Sequence, residues 1–160
     1  MRLAVYQPDM PPNLGTLLRT GACLGVPVDV IEPCGFPFSE RNFRRAALDY
    51  LRSAVIAHHR SWETFQRERA PGRLVLLTTQ GDAAYCDFRF RADDILLAGQ
   101  EGSGVPPGVH AAADARVTIP LLPGTRSLNV AIAAAMVLGE AMRQTSGFPP
   151  WPYAAMVSPP

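Results

Sequence analysis

The 160-residue sequence contains no lysine, so all 15 of its basic side chains are arginines. With 14 acidic side chains the formal net charge is only +1, which by itself indicates neither a nucleic acid nor any other charged partner. An arginine guanidinium can, however, bind a phosphate through two parallel N–H donors. A few well-placed arginines would therefore suffice for nucleic-acid binding despite the low net charge.

Cysteine is scarce, and its spacing is typical neither of a metal site nor of a disulfide framework. Cys23, Cys34 and Cys86 are far apart, form no CxxC pair and have no histidine at a spacing suited to zinc. We therefore expect no bound metal and a protein of the reducing cytoplasm. We also expect no signal peptide and no membrane span, since no apolar run approaches the ~20 residues that a membrane helix needs.

Apolar residues are abundant for a chain of this length. Hydrophobic residues make up 48% of the sequence, and the mean hydropathy is +0.04. Because excess apolar surface is often buried between subunits, we expect a homodimer. The length indicates one domain, which we place at residues 1–145, and the prolines that follow predict a poorly ordered tail over residues 146–160.

Strand patterns and helix patterns alternate along the chain. Six short apolar runs are predicted as buried strands: Leu3–Tyr6, Val26–Ile31, Ala54–Ala57, Arg73–Thr79, Asp94–Ala98 and Arg116–Ile119. A helix that is capped by Asn13 and ended by Gly25 is predicted between the first two. This alternation indicates an α/β fold with a mainly parallel sheet, flanked by helices on both faces. In such sheets ligands bind beyond the carboxyl ends of the strands.

The last predicted helix, Leu128–Arg143, is unusually apolar. Every residue from Val130 to Gly139 is apolar or glycine, so the helix must be buried in a core or against a partner. Ser127 is its predicted N-cap. Asn129 lies in its first turn, where backbone N–H groups have no partner within the helix. Short polar side chains beside an apolar wall are typical of a ligand pocket.

Three loops lie at the ends of predicted strands and are candidates for the binding edge: Leu77–Thr79, Gly99–Gly104 and Ile119–Asn129. The glycine-rich second loop lets the backbone approach a ligand closely. It is not a Walker loop, and it departs from GxGxxG because Pro107 stands where the third glycine would be. The convergence of the three loops predicts a ligand pocket better than any one of them does.

Two further groups of residues have open interpretations. Arg41, Arg44 and Arg45 share one face of a predicted short helix, which is either a solvated charged face or a phosphate clamp that Arg52 could join. His58 and His59 are adjacent in a predicted strand and must point to opposite faces. They cannot act as a pair, and each is expected to be a singly hydrogen-bonded histidine.

The three loops, together with Asn13-x-Gly15-x-x-x-Arg19, resemble the SPOUT superfamily of RNA methyltransferases. The closest resemblance is to its small single-domain members, which methylate the ribose 2′-OH of the wobble nucleotide (position 34) in tRNA. The likeness runs from Leu3 to about Arg143 and departs from the usual pattern at Gln100, Gly139 and Ala47. The matching motifs are Pro11–Arg19, Gly99–Pro106, Ile119-Pro120 with Arg126–Asn129, Ile31–Phe36 and Arg44–Tyr50.

This resemblance implies a C-terminal trefoil knot, S-adenosylmethionine as cofactor, and an obligate homodimer whose active site draws on both chains. The implied catalytic residues are Arg19 and Asn129, with Ser127 assisting. The implied cofactor-binding residues are Leu77, Thr78, Gly99, Glu101, Ile119, Leu121, Ser127 and Leu128. The implied contacts to the tRNA anticodon stem-loop are Asn13, Arg19, Arg41, Arg44, Arg45 and Arg52. Two alternatives stay open: a 2′-O-methyltransferase for rRNA or another tRNA position, and a non-catalytic nucleotide-binding module.

Arg19 is a poor candidate for a general base, because a guanidinium has a pKa of ~12 or more and stays protonated at neutral pH. We expect it to grip the substrate phosphate or to orient the 2′-OH, and so to stabilise the developing alkoxide charge. The proton would then pass to that phosphate or to water. The competing interpretation of Arg19 is an ion pair with an acidic side chain on a helix.

Overall fold

The structure is a computed structural model that describes residues 1–37 and 55–150. Its elements are β1 Arg2–Tyr6, α1 Pro11–Leu24, β2 Val28–Ile31, β3 Ile56–His59, α2 Trp62–Glu68, β4 Leu74–Leu77, β5 Ala83–Ala84, β6 Ile95–Ala98, α3 Pro107–Ala111, β7 Ala115–Thr118 and α4 Val130–Gln144. The predictions for Arg41, Arg44, Arg45 and Arg52 fall outside the described residues. Within those residues, no helix has both the length and the apolarity that a membrane span requires.

The strands of the described segments form one seven-stranded sheet in the order β3-β2-β1-β6-β4-β7-β5. Every pair of neighbours in it is parallel, which confirms the predicted sheet type. The strands β1, β2 and β3 follow one another from the centre of the sheet to one edge. The later strands β4 to β7 all lie on the other side of β1. In sheets of this kind ligands bind beyond the carboxyl ends of the strands.

Helices cover both faces of the sheet, as predicted. On one face α1 and α4 pack over strand residues such as Val5 and Leu96. On the other face Phe65 of α2 and Val109 of α3 pack over the alternate strand positions, Leu97 among them. Successive strand residues point to opposite faces, so a strand between two such layers must be apolar throughout, as β6 is.

The first helix begins earlier than predicted, so the assignment of Asn13 as its N-cap is wrong. Pro11 and Pro12 occupy the first turn and Met10 is the N-cap, without a side-chain capping bond. Proline is tolerated there because its fixed φ suits a helix and its missing N–H would have had no helical partner. Asn13 therefore lies inside the first turn, with its side chain available for contacts elsewhere. Gly25 ends the helix at φ 68°, as predicted.

The last helix begins later than predicted, and its N-cap is Asn129 rather than Ser127. The Asn129 side-chain oxygen accepts hydrogen bonds from the backbone N–H of Ala131 at 2.9 Å and of Ile132 at 3.3 Å. Residues such as Val137 and Leu138 are buried in the core. The opposite side of α4 stays partly open in the single chain, because Ile132 is 52% exposed and Met136 38% exposed.

The prediction that the adjacent histidines point to opposite faces is confirmed, and the single hydrogen bond predicted for each is confirmed for His59. His59 is buried, and its Nε2 lies 2.9 Å from Asp29 Oδ1, whereas His58 lies on the other face and is exposed. The predicted Ser61 cap of α2 is also confirmed, since its hydroxyl accepts from Thr64 N–H. The helix α4 ends at Gln144, next to the predicted domain boundary. The order of the tail and the trefoil knot stay predictions.

Candidate functional site

A cavity of about 410 Å³ lies at the carboxyl ends of the three adjacent strands β6, β4 and β7. The three predicted loops border it, and Val130, Ala133 and Val137 of α4 form an apolar wall. The predicted convergence of the loops is therefore confirmed. The volume falls within the roughly 300–1,000 Å³ that is usual for small-molecule sites.

All the positions that the resemblance implies for cofactor binding line this one cavity. They are Leu77, Thr78, Gly99, Glu101, Ile119, Leu121, Ser127 and Leu128. The set combines backbone groups at strand ends with apolar side chains and few charged ones. Such a wall suits a neutral heteroaromatic group, and the contact of each residue with a cofactor stays a prediction.

The glycine-rich loop is closed on itself by backbone hydrogen bonds. Gln100 and Gly104 exchange two of them, at 2.8 and 3.0 Å. A Cβ on Gly99 would lie 2.7 Å from the Gly104 carbonyl carbon, and Gly104 itself has φ +65°. Glycine is thus required at both positions, once for space and once for conformation. The Ser103 hydroxyl also donates to the Gln100 side-chain oxygen, which ties the tip of the loop together.

Three side chains from distant parts of the sequence meet at the mouth of the cavity, and we call them the Asn13–Glu101–Asn129 cluster. Asn13 Nδ2 donates to Glu101 Oε2. Asn129 Nδ2 donates to Glu101 Oε1 and to Asn13 Oδ1, each at 3.0 Å. The cluster joins the first turn of α1, the glycine-rich loop and the N-cap of α4. Asp9 Oδ1 also accepts from the Glu101 backbone N–H at 3.4 Å.

The hydrogen bonds of Asn129 define what its side chain can do. Its oxygen accepts from two backbone N–H groups of α4, and both protons of its amide nitrogen are directed at Asn13 and Glu101. An asparagine amide offers two donors and two acceptor positions, so this side chain is fully engaged. The geometry favours a positioning role for Asn129, and its direct participation in catalysis stays a prediction.

Arg19 is not among the residues that line the cavity of its own chain. It is exposed and lies six residues beyond Asn13 on α1, which places it about 9 Å farther along the helix axis. The single chain therefore brings together Asn13, Glu101, Ser127 and Asn129 but leaves Arg19 outside. The sequence motif could not reveal this separation, because i and i+6 positions lie on different sides of a helix.

The structure adds cavity residues to which the sequence analysis gave no role. Arg126 and His110 both line the cavity, the first from the loop before α4 and the second from α3. Arg126 lies in the matched motif Arg126–Asn129 and directly before Ser127, and this position was the available signal. His110 lies in an unremarkable stretch of alanines, and no sequence pattern distinguishes it from a surface residue.

Comparisons with known proteins agree with this geometry. Residues 1–139 match the SpoU rRNA Methylase family. A protein of Beijerinckia indica called tRNA (cytidine(34)-2'-O)-methyltransferase is 59% identical over 144 residues, which cover 89% of this chain and 90% of that protein. A solved structure described as giving insights into the 2-OH methylation of C/U34 on tRNA is 37% identical, with a TM-score of 0.85, over 91% of this chain and 96% of that one.

A further solved structure contains a bound cofactor. It is the SpoU methyltransferase AviRb from Streptomyces viridochromogenes in complex with S-adenosylmethionine. It is 27% identical to this chain with a TM-score of 0.77, over 90% of this chain and 60% of that one.

Proposed function

This chain belongs to the SpoU rRNA methylase family, and from that premise we propose that it methylates the ribose 2′-OH of the wobble nucleotide, position 34, of tRNA. The observation that carries the proposal is the meeting of three motifs at one cavity. The residues implied for the cofactor line that cavity, and the Asn13–Glu101–Asn129 cluster fastens the three motifs together at its mouth. The high identity to the Beijerinckia indica protein supports tRNA as the substrate class.

The cavity fits S-adenosylmethionine, the cofactor of this family. Its volume of about 410 Å³, its backbone-lined glycine loop and its apolar α4 wall suit a nucleoside with a short polar extension. When bound, the cofactor supplies an activated methyl group. Leu77, Ile119, Leu121 and Leu128 would enclose its apolar parts. The closed loop that begins at Gly99 would present backbone groups to its polar edge.

We expect two copies of the chain to form the working enzyme. Ile132 and Met136 leave an apolar strip on α4, and the adjoining Leu128 is 37% exposed. A second copy that packs here would bury this strip and extend the core across the interface. The predicted knot, with α4 threaded through a preceding loop, belongs to the same proposal.

Arg19 would then act on the cavity of the partner. It is exposed on α1 and is not among the residues that line the cavity of its own chain, so in this proposal it reaches the cavity of a second copy. There it would hold the substrate phosphate or stabilise the charge that develops on the 2′-oxygen. The proton leaves to that phosphate or to water, because a guanidinium cannot accept it.

The RNA would be held by few charges. Arg41, Arg44, Arg45 and Arg52 are the proposed phosphate contacts, and Asn13 keeps one amide proton that Glu101 does not use. Since only a few phosphates are neutralised, the logarithm of affinity should fall gently with the logarithm of salt concentration. A slope that corresponds to eight or so ion pairs would contradict this part of the proposal.

The test is transfer of a radiolabelled methyl group to unmodified total tRNA and, in parallel, to unmodified rRNA. The rRNA arm is needed because the family description names rRNA and so points to that alternative. We expect label in tRNA only, and mapping of the product should place the 2′-O-methyl group at nucleotide 34. Label in rRNA, or at another tRNA nucleotide, would overturn the substrate assignment. Cofactor binding without transfer to either RNA would favour a non-catalytic nucleotide-binding module.

A further inference from the structure

Arg126 lines the cavity with a charged side chain that the proposed function does not use. Apart from His110, the ionisable side chains among the described residues that line the cavity are those of Arg126 and Glu101. Glu101 is engaged, because its two carboxylate oxygens accept hydrogen bonds from Asn13 and Asn129. Arg126 is exposed, and its guanidinium has neither an ion pair nor a hydrogen bond within the part of the chain that the structure describes. This cation is therefore available to an anion from outside the chain.

The backbone on both sides of Arg126 is held in place. Before it, the N–H and the hydroxyl of Thr125 both donate to the Leu122 carbonyl oxygen, at 3.2 and 2.7 Å, which closes a tight turn. After it, Asn129 caps α4 and belongs to the Asn13–Glu101–Asn129 cluster at the mouth of the cavity. The side chain of Arg126 thus starts three residues from that cluster, on a loop whose two ends are fixed.

The charges at the cavity favour a phosphate as the partner of Arg126. S-adenosylmethionine carries a sulfonium and an ammonium group against a single carboxylate, so the bound cofactor is net positive. A further cation beside it is unfavourable unless an anion lies close by, and the Glu101 carboxylate is already shared between two asparagines. RNA brings such anions, and a guanidinium binds a phosphate through two parallel N–H donors. The carboxylate of the cofactor is the competing anion, and binding measurements can separate the two.

The covalent structure of RNA selects one phosphate. The 2′-OH that receives the methyl group is on C2′, and the 3′ phosphate is joined to the neighbouring carbon, C3′. A ribose whose 2′-OH enters the cavity therefore brings its 3′ phosphate to the opening, which the exposed Arg126 lines. We propose that Arg126 binds the phosphate between nucleotides 34 and 35 and so positions the ribose for methyl transfer. This inference rests on the proposed function, and it leaves the partner's Arg19 to act on the 2′-oxygen.

The first experiment measures the binding of a tRNA that the wild-type chain methylates, in the presence of saturating S-adenosylhomocysteine. The tRNA is made with a 2′-deoxy nucleotide 34, so that no hydroxyl can attack the modified linkage. It carries either the ordinary phosphate or an uncharged methylphosphonate between nucleotides 34 and 35. We expect the methylphosphonate to weaken binding to the wild type about tenfold, as loss of one charge-assisted contact implies. It should weaken binding to Arg126→Ala less than about twofold, because the partner of that phosphate is already absent.

A methylphosphonate between nucleotides 37 and 38 is the control for the RNA. It removes a charge that Arg126 does not contact in this proposal, so it should change the binding of the wild type and of Arg126→Ala by the same factor. The comparison of the two linkages therefore separates one contact from the general attraction of the protein for RNA.

The second experiment compares variants of Arg126. Arg126→Ala should bind the tRNA with the ordinary phosphate about tenfold more weakly, with a salt slope that is shallower by about 0.7. Arg126→Lys keeps the charge but not the paired donors, so it should recover part of this affinity. The affinity for S-adenosylhomocysteine, measured by calorimetry, should stay unchanged in both variants. Arg89→Ala removes an exposed arginine that is not among the cavity-lining residues and should change neither affinity.

A methylphosphonate effect at the 34–35 linkage that is as large in Arg126→Ala as in the wild type would overturn the proposal, and so would its absence in the wild type. Weaker binding of S-adenosylhomocysteine by Arg126→Ala would also overturn it, because Arg126 would then hold the carboxylate of the cofactor. If Arg126→Ala does not fold, Arg126→Gln takes its place in the same comparison.

Failure of the proposed function is recognised on the wild-type chain alone. A wild type that methylates tRNA at another nucleotide, or methylates no tRNA, overturns the proposed function and this inference with it. Methylation at nucleotide 34, together with an undiminished methylphosphonate effect in Arg126→Ala, overturns this inference only.

Discussion

The carboxylates of Asp29 and Glu101 each accept hydrogen bonds from two other side chains, and they differ in where these donors lie in the fold. Asp29 is 1% exposed and accepts from Arg2 Nε at 2.7 Å, Arg2 Nη2 at 2.9 Å and His59 Nε2 at 2.9 Å. These three residues belong to neighbouring strands inside the sheet. Glu101 is half-exposed and accepts from two asparagine amides that belong to a helix turn and a helix cap.

The difference shows how one chemical arrangement serves two purposes. A buried charge must keep its partners, so the Arg2–Asp29–His59 cluster fixes the three strands β1, β2 and β3 to one another. The hydrogen bond to Asp29 also raises the pKa of Arg2. The Asn13–Glu101–Asn129 cluster stays in contact with solvent, so its contribution to stability is small. It holds loops at a cavity, so its loss should reduce activity more than it reduces the free energy of unfolding.

The largest effect is expected when the buried carboxylate is removed. Asp29→Ala leaves the partly buried Arg2 and the buried His59 without their shared partner. We expect the free energy of unfolding, measured by urea denaturation, to fall by about 3–5 kcal/mol. Asp87→Asn, at an exposed position, is the matched control and should change it by less than about 0.5 kcal/mol. A loss below 1 kcal/mol for Asp29→Ala would remove the distinction between the two clusters.

Loss of Arg19 should affect chemistry and not stability. We expect Arg19→Ala to lower kcat for methyl transfer by about 10²–10³-fold, which is typical when a donor to a developing oxyanion is removed. Arg67→Ala, another exposed helix arginine, should leave the rate unchanged. A near-wild-type rate in a folded, cofactor-binding Arg19→Ala chain would show that the assigned role is wrong.

Mixed dimers of two inactive variants test whether Arg19 acts on the cavity of the partner chain. Gly99→Val should close the cavity, because a Cβ at Gly99 already meets Gly104 backbone at 2.7 Å. If Arg19 serves the partner's cavity, inactive Arg19→Ala and Gly99→Val chains refolded together should recover about a quarter of the wild-type activity, through one intact site in each mixed dimer. Failure to recover activity, with mixed dimers verified, would place Arg19 in its own chain's site.

Glu101 should show the reverse of the behaviour of Asp29. Glu101→Gln replaces one acceptor oxygen by an amide group that faces an asparagine donor. One of the hydrogen bonds that connect the glycine-rich loop to Asn13 and Asn129 is therefore lost. We expect methyl transfer to fall by about 10–100-fold, while the free energy of unfolding changes by no more than about 1 kcal/mol. Gln100→Ala, at the adjoining position, should have a smaller effect on the rate. A destabilisation as large as that of Asp29→Ala would make this cluster structural too.

The smallest effect is expected at a surface ion pair. Hydrogen bonds from Arg143 and Gln144 lower the pKa of Glu140 to about 2, from an ordinary value of 4.5. The lowered pKa means that the pair stabilises the fold above about pH 4.5 and that this contribution is lost as the pH falls towards 2. Glu140→Gln should therefore reduce the Tm at pH 7 by about 1 °C or less, and the difference should shrink on acidification. A difference that grew below pH 4.5 would contradict the assigned sign.

Much of the fold could be predicted because the positions of its strands and helices depend on local sequence patterns. The apolar runs found six of the strands to within two residues, and Gly25 and Ser61 marked helix ends correctly. The two-residue strand β5 has too short a pattern to be detected. The strand order depends on pairing between distant segments, which no local pattern contains.

The errors at the helix starts have a common cause. At both helix starts several neighbouring residues could serve as the N-cap, and the tertiary contacts of their side chains determined which one does. Asn13 and Ser127 were predicted as caps, yet Asn13 is used to hold Glu101 and the cap of α4 is Asn129. A contact across 88 residues, such as that of Asn13 with Glu101, is beyond any pattern of spacing. Only the resemblance to a family placed Asn13 and Glu101 in one site.

A crystal structure of the chain with S-adenosylhomocysteine would locate the cofactor site directly. We expect density for the ligand in the cavity at the ends of β6, β4 and β7, against Leu77, Ile119 and Leu128, with the Asn13–Glu101–Asn129 cluster intact at its mouth. Ligand density at another surface, or a bound chain in which the three loops have separated, would contradict this expectation.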